Sequence, residues 1–477
     1  MLPFKSKTIM KTKFIIILMA ISFMVSSCKK ELYQNPITSK DISKFLINQT
    51  EAEEYINAVY GNLQSTGLYG LYLPAFAEIP SDNTFDQVPS NDNGNYGQLD
   101  QFTTIASNDI IETTWRDSYQ AIQKANVVLN RIDNISYADP AQKQSRKGEM
   151  LFIRSLLYFN LVRLYGDVPL VTTETTDPNK LFGLGRQPSA KVYDQIKADL
   201  TTAIEFLPDA PAQPGRVIKT AAEALLGKVY LTLKDYPNAK AQLLTVVNSG
   251  KHTLLGKVQD VFAVSNENNK EIIFAVQFAA GVNGNSEGSI MYQQFSPSAT
   301  VSGAKGHNLP TLSLYNLYTA NDQRKNVYIT LASTGAPFNN KMSTPPGNVI
   351  TDGPSDFVVL RYTDVILMLA EIENELGNIA PSTGYLNTIR NRAGLTNTTA
   401  VSQADLRDAI ALERRLELVG EGHRWFDLLR TGTAVTVMNQ WFKDNNILIT
   451  IDQHNLLAPV PQSQVNTDPA IKQNPGY

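Results

Sequence analysis

Residues 221–250 read AAEALLGKVYLTLKDYPNAKAQLLTVVNSG, and their spacing decides the fold. Ala222, Leu225, Leu226, Val229, Tyr230 and Leu233 recur at steps of three and four, which predicts one apolar face of an α-helix. The run KDYP then stops it at Pro237, because proline cannot continue a helix interior. A second run follows with Ala239, Leu243 and Val247 on one side and Gly250 as terminator. Two short amphipathic helices joined by a tight turn cannot bury both of their faces alone, so neighbours must stack on them.

The unit resembles a tetratricopeptide hairpin. The same grammar recurs in LFIRSLLYFNLVRLYGDVP with SAKVYDQIKADLTTAIEFLP, where Val192, Ile196, Leu200, Ala203 and Leu207 make the second stripe. It recurs again in RYTDVILMLAEIENELG with STGYLNTIRNRAGL, and in AEEYINAVYGNLQ with WRDSYQAIQKANVVLNRID. The expected fold is mainly α, with tetratricopeptide-like hairpins in an α-α superhelix; an unrelated bundle of similar helices is the alternative. Residues 80–109, 281–310 and 333–355 break the pattern with Asn, Asp, Gly, Ser and Pro. Loops of that length in a compact protein are usually functional or disordered. EIIFAVQF (Glu271–Phe278) reads as a strand, so minor β structure is expected beside the helices.

Hydrophobic content of 43% and charged content of 18% over 477 residues describe a globular chain able to bury a large core. Lys5, Lys7, Lys11 and Lys13 precede FIIILMAISFMV, then SSC. Twelve uncharged residues fall short of the roughly twenty that span a bilayer, and the basic lead marks residues 1–27 as an export signal. The segment before Cys28, the chain's one cysteine, resembles a lipobox, which makes Cys28 the expected lipid attachment site. Residues 28–41 are polar and aperiodic, an expected tether, with one domain over 42–477. Removing the four leader lysines from the formal charge of −3 leaves −7. No basic stripe suits nucleic acid.

ERRLELVGEGHRWFDLLRTG (Glu413–Gly432) admits two readings. Acids beside His423 could serve acid/base catalysis. Alternatively, Arg414/Glu417, Glu421/Arg424 and Asp427/Arg430, each three apart, form a polar clasp beside an apolar stripe of Leu412, Leu416 and Val419. Gly420 and Gly422 would supply a close turn between two helices. Carboxylates already matched by arginines are poor proton donors, which favours the clasp. The four histidines show no HExxH spacing, and neither a GxSxG nor a P-loop occurs. No metal or cofactor is expected, although the Asp/Asn-rich stretch around Asp82–Asn95 leaves calcium open.

In order along the chain, the lipobox ending at Cys28, WRDSYQAIQKAN, GEMLFIRSLLYFNLVRLYGDVPLV, RYTDVILMLAE and ERRLELVGEGHRWFDLLR resemble the SusD/RagB family of nutrient-binding outer-membrane lipoproteins. The resemblance spans the mature chain. It implies a helical frame with a loop-rich part bearing a glycan site, binding without catalysis. It also implies a lipid anchor in the outer membrane and a SusC-like TonB-dependent transporter as partner.

Neutral sugars are held by flat apolar faces against C–H groups and by amides or carboxylates at hydroxyls. The loop TFDQVPSNDNGNYGQLDQF offers Phe85, Asp86, Asn93 and Tyr96, and the second loop offers Tyr292, Gln294 and Phe295. These residues are the expected ligand contacts. Only three tryptophans occur, which departs from the starch-binding pattern and leaves other glycans or peptides open. A structural adaptor and a surface glycoside hydrolase are the competing functions.

Overall fold

Helical hairpins stack side by side in the expected order. The structure is a computed structural model that describes residues 45–477; the leader, Cys28 and the tether expected over residues 28–41 lie outside the described residues. Within the unit Asn48–Tyr477, α1 (Gln49–Asn62) packs on α2 (Asp109–Arg131) and α3 (Pro140–Tyr165) on α4 (Ser189–Phe206). Further along, α5 (Lys219–Thr232) packs on α6 (Tyr236–Asn248) and α7 (Tyr362–Glu375) on α8 (Ile379–Arg392). Contacts of α2 with α3, α4 with α5 and α6 with α7 join the pairs into one stack. Each pair thereby covers the face its neighbour leaves open.

The hairpin over residues 221–250 shows how the sequence writes this. Leu225, Leu226 and Val229 of α5 and Ala239 and Leu243 of α6 are buried. α5 ends at Thr232, short of Pro237, which sits in the first turn of α6, where the Asn238 N–H donates to the Asp235 carboxylate at 3.3 Å. Proline is tolerated there because the first N–H groups of a helix have no partner inside it. Leu233 is exposed, because α5 ends one residue before it.

The β structure is minor, as expected. β1 (Thr84–Phe85) pairs antiparallel with β3 (Leu309–Pro310), Phe85 opposite Leu309. β2 (Ile272–Val276) pairs with β6 (Phe357–Arg361), and both are buried throughout. β4 (Ile329–Leu331) and β5 (Pro337–Asn339) form a third two-stranded ribbon. The chain then runs through α9 (Gln403–Glu417), α10 (Arg424–Thr431) and α11 (Ala434–Asp444).

The stretch Glu413–Arg430 is a buried clasp, but its partners are not the near neighbours that the three-residue spacing suggests. Glu417 does not pair with Arg414; it meets Arg361 at 3.0 Å and Arg324 at 3.0 Å, and also binds Arg392. Glu421 binds Arg361 at 2.7 Å and Lys341 at 2.8 Å rather than Arg424. Arg424 instead reaches Asp82 at 2.7 Å, and Arg414 bridges Asp364 and Asp427. The Asp427–Arg430 pair forms as expected, at 2.8 Å. Leu412 lies outside the buried stripe, 43% exposed, while Leu416 and Val419 are buried. Against the cost of burial, Arg392, Arg361 and Arg324 hold the Glu417 carboxyl well below its usual range, and Arg414 and Arg430 do the same for Asp427. Burial pushes His423 down to about 3, so it stays neutral beside the Lys228 ammonium. The candidate acid and bases are all committed to structure.

Gly420 and Gly422 turn the chain between α9 and α10 with φ of 76° and 73°. A Cβ on Gly420 would collide with the side-chain amide of Asn339. Gly420→Ala is therefore expected to cost about 1–3 kcal/mol, from backbone strain and displacement of Asn339. Chemical denaturation reads this directly, and an unchanged midpoint would contradict the turn.

Glu78 receives the N–H groups of Gly422 and His423 at 3.0 and 3.1 Å, yet burial pushes its carboxyl up to about 7. The folded state therefore favours its protonated form. The stability from this group is present below its unfolded value of 4.5 and is lost as pH rises from there through about 7. Glu78→Gln cannot ionise, so the variant should gain about 2 kcal/mol on the parent between about pH 5 and pH 8. A stability difference that does not move with pH would refute the assignment.

Candidate functional site

β1 and β3 bring the two expected ligand loops together, and a buried histidine locks them. His307 Nδ1 lies 2.9 Å from Asp86 Oδ1, and Nε2 lies 2.7 Å from Asp92 Oδ2. Lys305 adds a contact to Asp92 at 3.0 Å. Although burial opposes it, these hydrogen bonds from His307 and Lys305 hold the Asp92 carboxyl below its usual range. Tyr96 stacks flat on the His307 ring, with centroids 3.7 Å apart and planes 12° from parallel.

This lock corrects several expected contacts. Tyr96 is 2% exposed, so its ring braces the loop rather than offering a face to a ligand. Asp86 is buried behind it, and Gln294 and Phe295 are buried beneath the second loop, where the His307 N–H donates to the Gln294 carbonyl. Aromatic and amide residues in a polar loop look accessible in sequence; here they form the small core that two long loops need in order to pack on each other. Asn93 is exposed at the loop tip with φ of 58°, and Tyr292 is half-buried in the short helix Met291–Gln294. Phe85 stays half-buried at the edge of β1 and lines an open concavity of about 540 Å³.

Three segments build that concavity. From the first loop come Phe85, Asp100, Gln101 and Thr103; from the start of the helix Leu312–Leu317 come Thr311, Leu312 and Ser313. The third wall is α11 and the turn after it, with Trp441, Asn445, Ile447 and Ile449. Ala434, Met438 and Phe442 recur at steps of four and bury against Trp425 and Leu428. Trp441 stands off that stripe and remains half-buried, its ring nitrogen 3.5 Å from Ser313 Oγ. The clasp sets the opposite wall, since Arg415 and Arg424 grip Asn83 and Asp82 immediately before β1. Burial and the neighbouring Asp86 charge push the Asp100 carboxyl up to about 7, although the Asp86 N–H donates to it.

Sequence reasoning missed Trp441. Its signal was the phase of α11: a tryptophan one residue off an apolar stripe is not needed for the core. The volume suits a small ligand, which such sites hold in roughly 300–1,000 Å³. A flat indole, a phenyl edge and neutral amides and hydroxyls suit a saccharide, whose C–H faces and hydroxyls want those partners. Among the described residues, no group of three or more His, Cys, Asp or Glu side chains is placed to hold a metal ion.

Known proteins share this fold. Residues 328–477 match the sequence model described as the SusD family, and residues 38–231 match the one described as starch-binding associating with outer membrane. A SusD-like protein of Formosa agariphila is 25% identical over 98% of this chain and 100% of its own length. A solved laminarin-binding SusD-like protein is 29% identical, covers 90% of this chain and 100% of its own, and superposes with a TM-score of 0.78. Surface glycan-binding protein A from Bacteroides thetaiotaomicron, solved with laminarihexaose, shares the fold with a TM-score of 0.76 at 20% identity, over 90% of this chain and 99% of its own.

Proposed function

The chain belongs to the SusD/RagB family of glycan-binding proteins, and from that premise we propose that it captures oligosaccharides at the cell surface and passes them to a SusC-like TonB-dependent transporter. In this reading Cys28 carries the lipid that anchors it in the outer membrane, and residues 28–41 give it reach. Several acyl chains on one residue suffice for stable anchoring.

One observation carries the proposal: the half-buried indole of Trp441 faces a concavity edged by Phe85 and by uncharged amides and hydroxyls. Binding there needs no bond broken, and the clasp carboxylates Glu417 and Asp427 are committed to guanidinium groups. Asn93 and Tyr292 are assigned to outer contacts with a longer chain. They flank the Lys305–Asp92 pair, Tyr292 through the neighbouring Gln293 carbonyl that accepts the Lys305 N–H. Laminarin fragments are the first ligands to test, because the solved relative at 29% identity binds laminarin. Calorimetric titration of the full chain with a panel of oligosaccharides should give saturable binding with no product formed. Absence of binding across the panel would leave a structural adaptor, and release of shorter sugars would indicate a hydrolase.

A further inference from the structure

The concavity has a one-sided charge. Among the described residues, Asp100 is the one charged side chain that lines it, and no lysine, arginine or histidine does. Behind it lies Asp86, 2% exposed, whose Oδ2 has no hydrogen-bond partner, while its Oδ1 is spent on His307. Lys443 and Asp444 of α11 point to solvent and line no part of the cavity. One wall thus presents a negative pole that no cation among the described lining residues offsets.

Recognition of carboxylate or sulfate groups relies on guanidinium or ammonium donors. A ligand bearing such groups would lose its hydration here and find like charge instead. We infer that this pocket selects saccharides free of acidic groups and excludes uronate- and sulfate-bearing ones, with Asp100 as the specificity-determining residue. The inference rests on the pocket being the glycan site. Neutral sugars meet Gln101, Ser313 and Asn445 through hydroxyls and Trp441 through their C–H face, none of which requires charge. Because burial and Asp86 raise the Asp100 carboxyl to about 7, it is neutral and able to donate below that value and repels anions above it. Discrimination therefore grows as pH rises through 7.

The test uses the full chain and matched pairs of probes: laminari-, cello-, malto- and mannohexaose, and each again with its C6 hydroxymethyl groups oxidised to carboxylates. At about pH 8 a neutral member should bind at least about 10-fold more tightly than its oxidised form. The gap should shrink at about pH 6, and Asp100→Asn should shrink it to within about 3-fold at both values. The pH dependence of the unaltered chain tests the idea even if the variant folds poorly. Equal affinity within a pair, or an oxidised member binding where its neutral parent does not, would overturn the inference while leaving glycan binding in place. No binding by any member would overturn both.

Discussion

Glu417→Ala is expected to cost about 3–5 kcal/mol of folding stability, the largest effect of any single change considered for this chain. Glu417 is fully buried and is the shared counter-charge of Arg324, Arg361 and Arg392. Its main-chain carbonyl also accepts from Arg361 at 2.8 Å and from Lys341 at 2.7 Å, so only the carboxylate is lost. Glu271, Glu413 and Glu421 remain beside Arg392, Arg324 and Lys341, but they already pair with these groups and none replaces the lost charge. The surplus positive charge cannot reach water, because Arg324 and Arg361 are 0% and 1% exposed. Removing one member of a buried pair leaves the other desolvated and uncompensated, which is why the cost exceeds that of a surface pair. Urea denaturation monitored by circular dichroism measures it. A loss below about 1 kcal/mol would mean that the clasp contributes little to stability.

The second large effect falls on binding. Trp441→Ala should weaken oligosaccharide binding by about 1–3 kcal/mol, roughly 5- to 150-fold, with little change in stability. The indole is the broadest flat surface of the concavity and only partly packs against the buried Ala434–Met438–Phe442 stripe, so truncation removes the ligand's platform while the stripe itself stays in place. Trp425→Ala supplies the contrast: at 3% exposure that ring packs between Phe102 and the α11 cluster, and its loss should unfold the region rather than tune affinity. Equal binding by Trp441→Ala and the parent would remove this pocket from consideration and return attention to Asn93 and Tyr292.

The repeat hairpins were legible because their evidence is local. Leu225, Val229 and Leu243 declare a face by spacing alone, and glycines such as Gly166 and Gly377 mark helix ends where their positive φ values are later found. The glycine turn after Val419 was legible for the same reason. The site was harder to read. Phe85 lines the concavity, whereas the stacking of Tyr96 on His307 leaves its ring no face for a ligand. His307 itself carried no motif, since its partners Asp86 and Asp92 lie 221 and 215 residues away.

By itself the sequence determined a mainly helical repeat frame, the three long loops that interrupt it and the family it resembles. The frame and its loops follow from periodicities and stops a few residues long, and the family from five motifs that resemble it in order along the chain. Only the tertiary structure decided which arginine answers which carboxylate and that Trp441, not Tyr96, faces the cavity. Ion pairs and pocket walls join segments such as Arg424 and Asp82, 342 residues apart, and no local spacing records a contact set by how the stacked hairpins bring distant chain together.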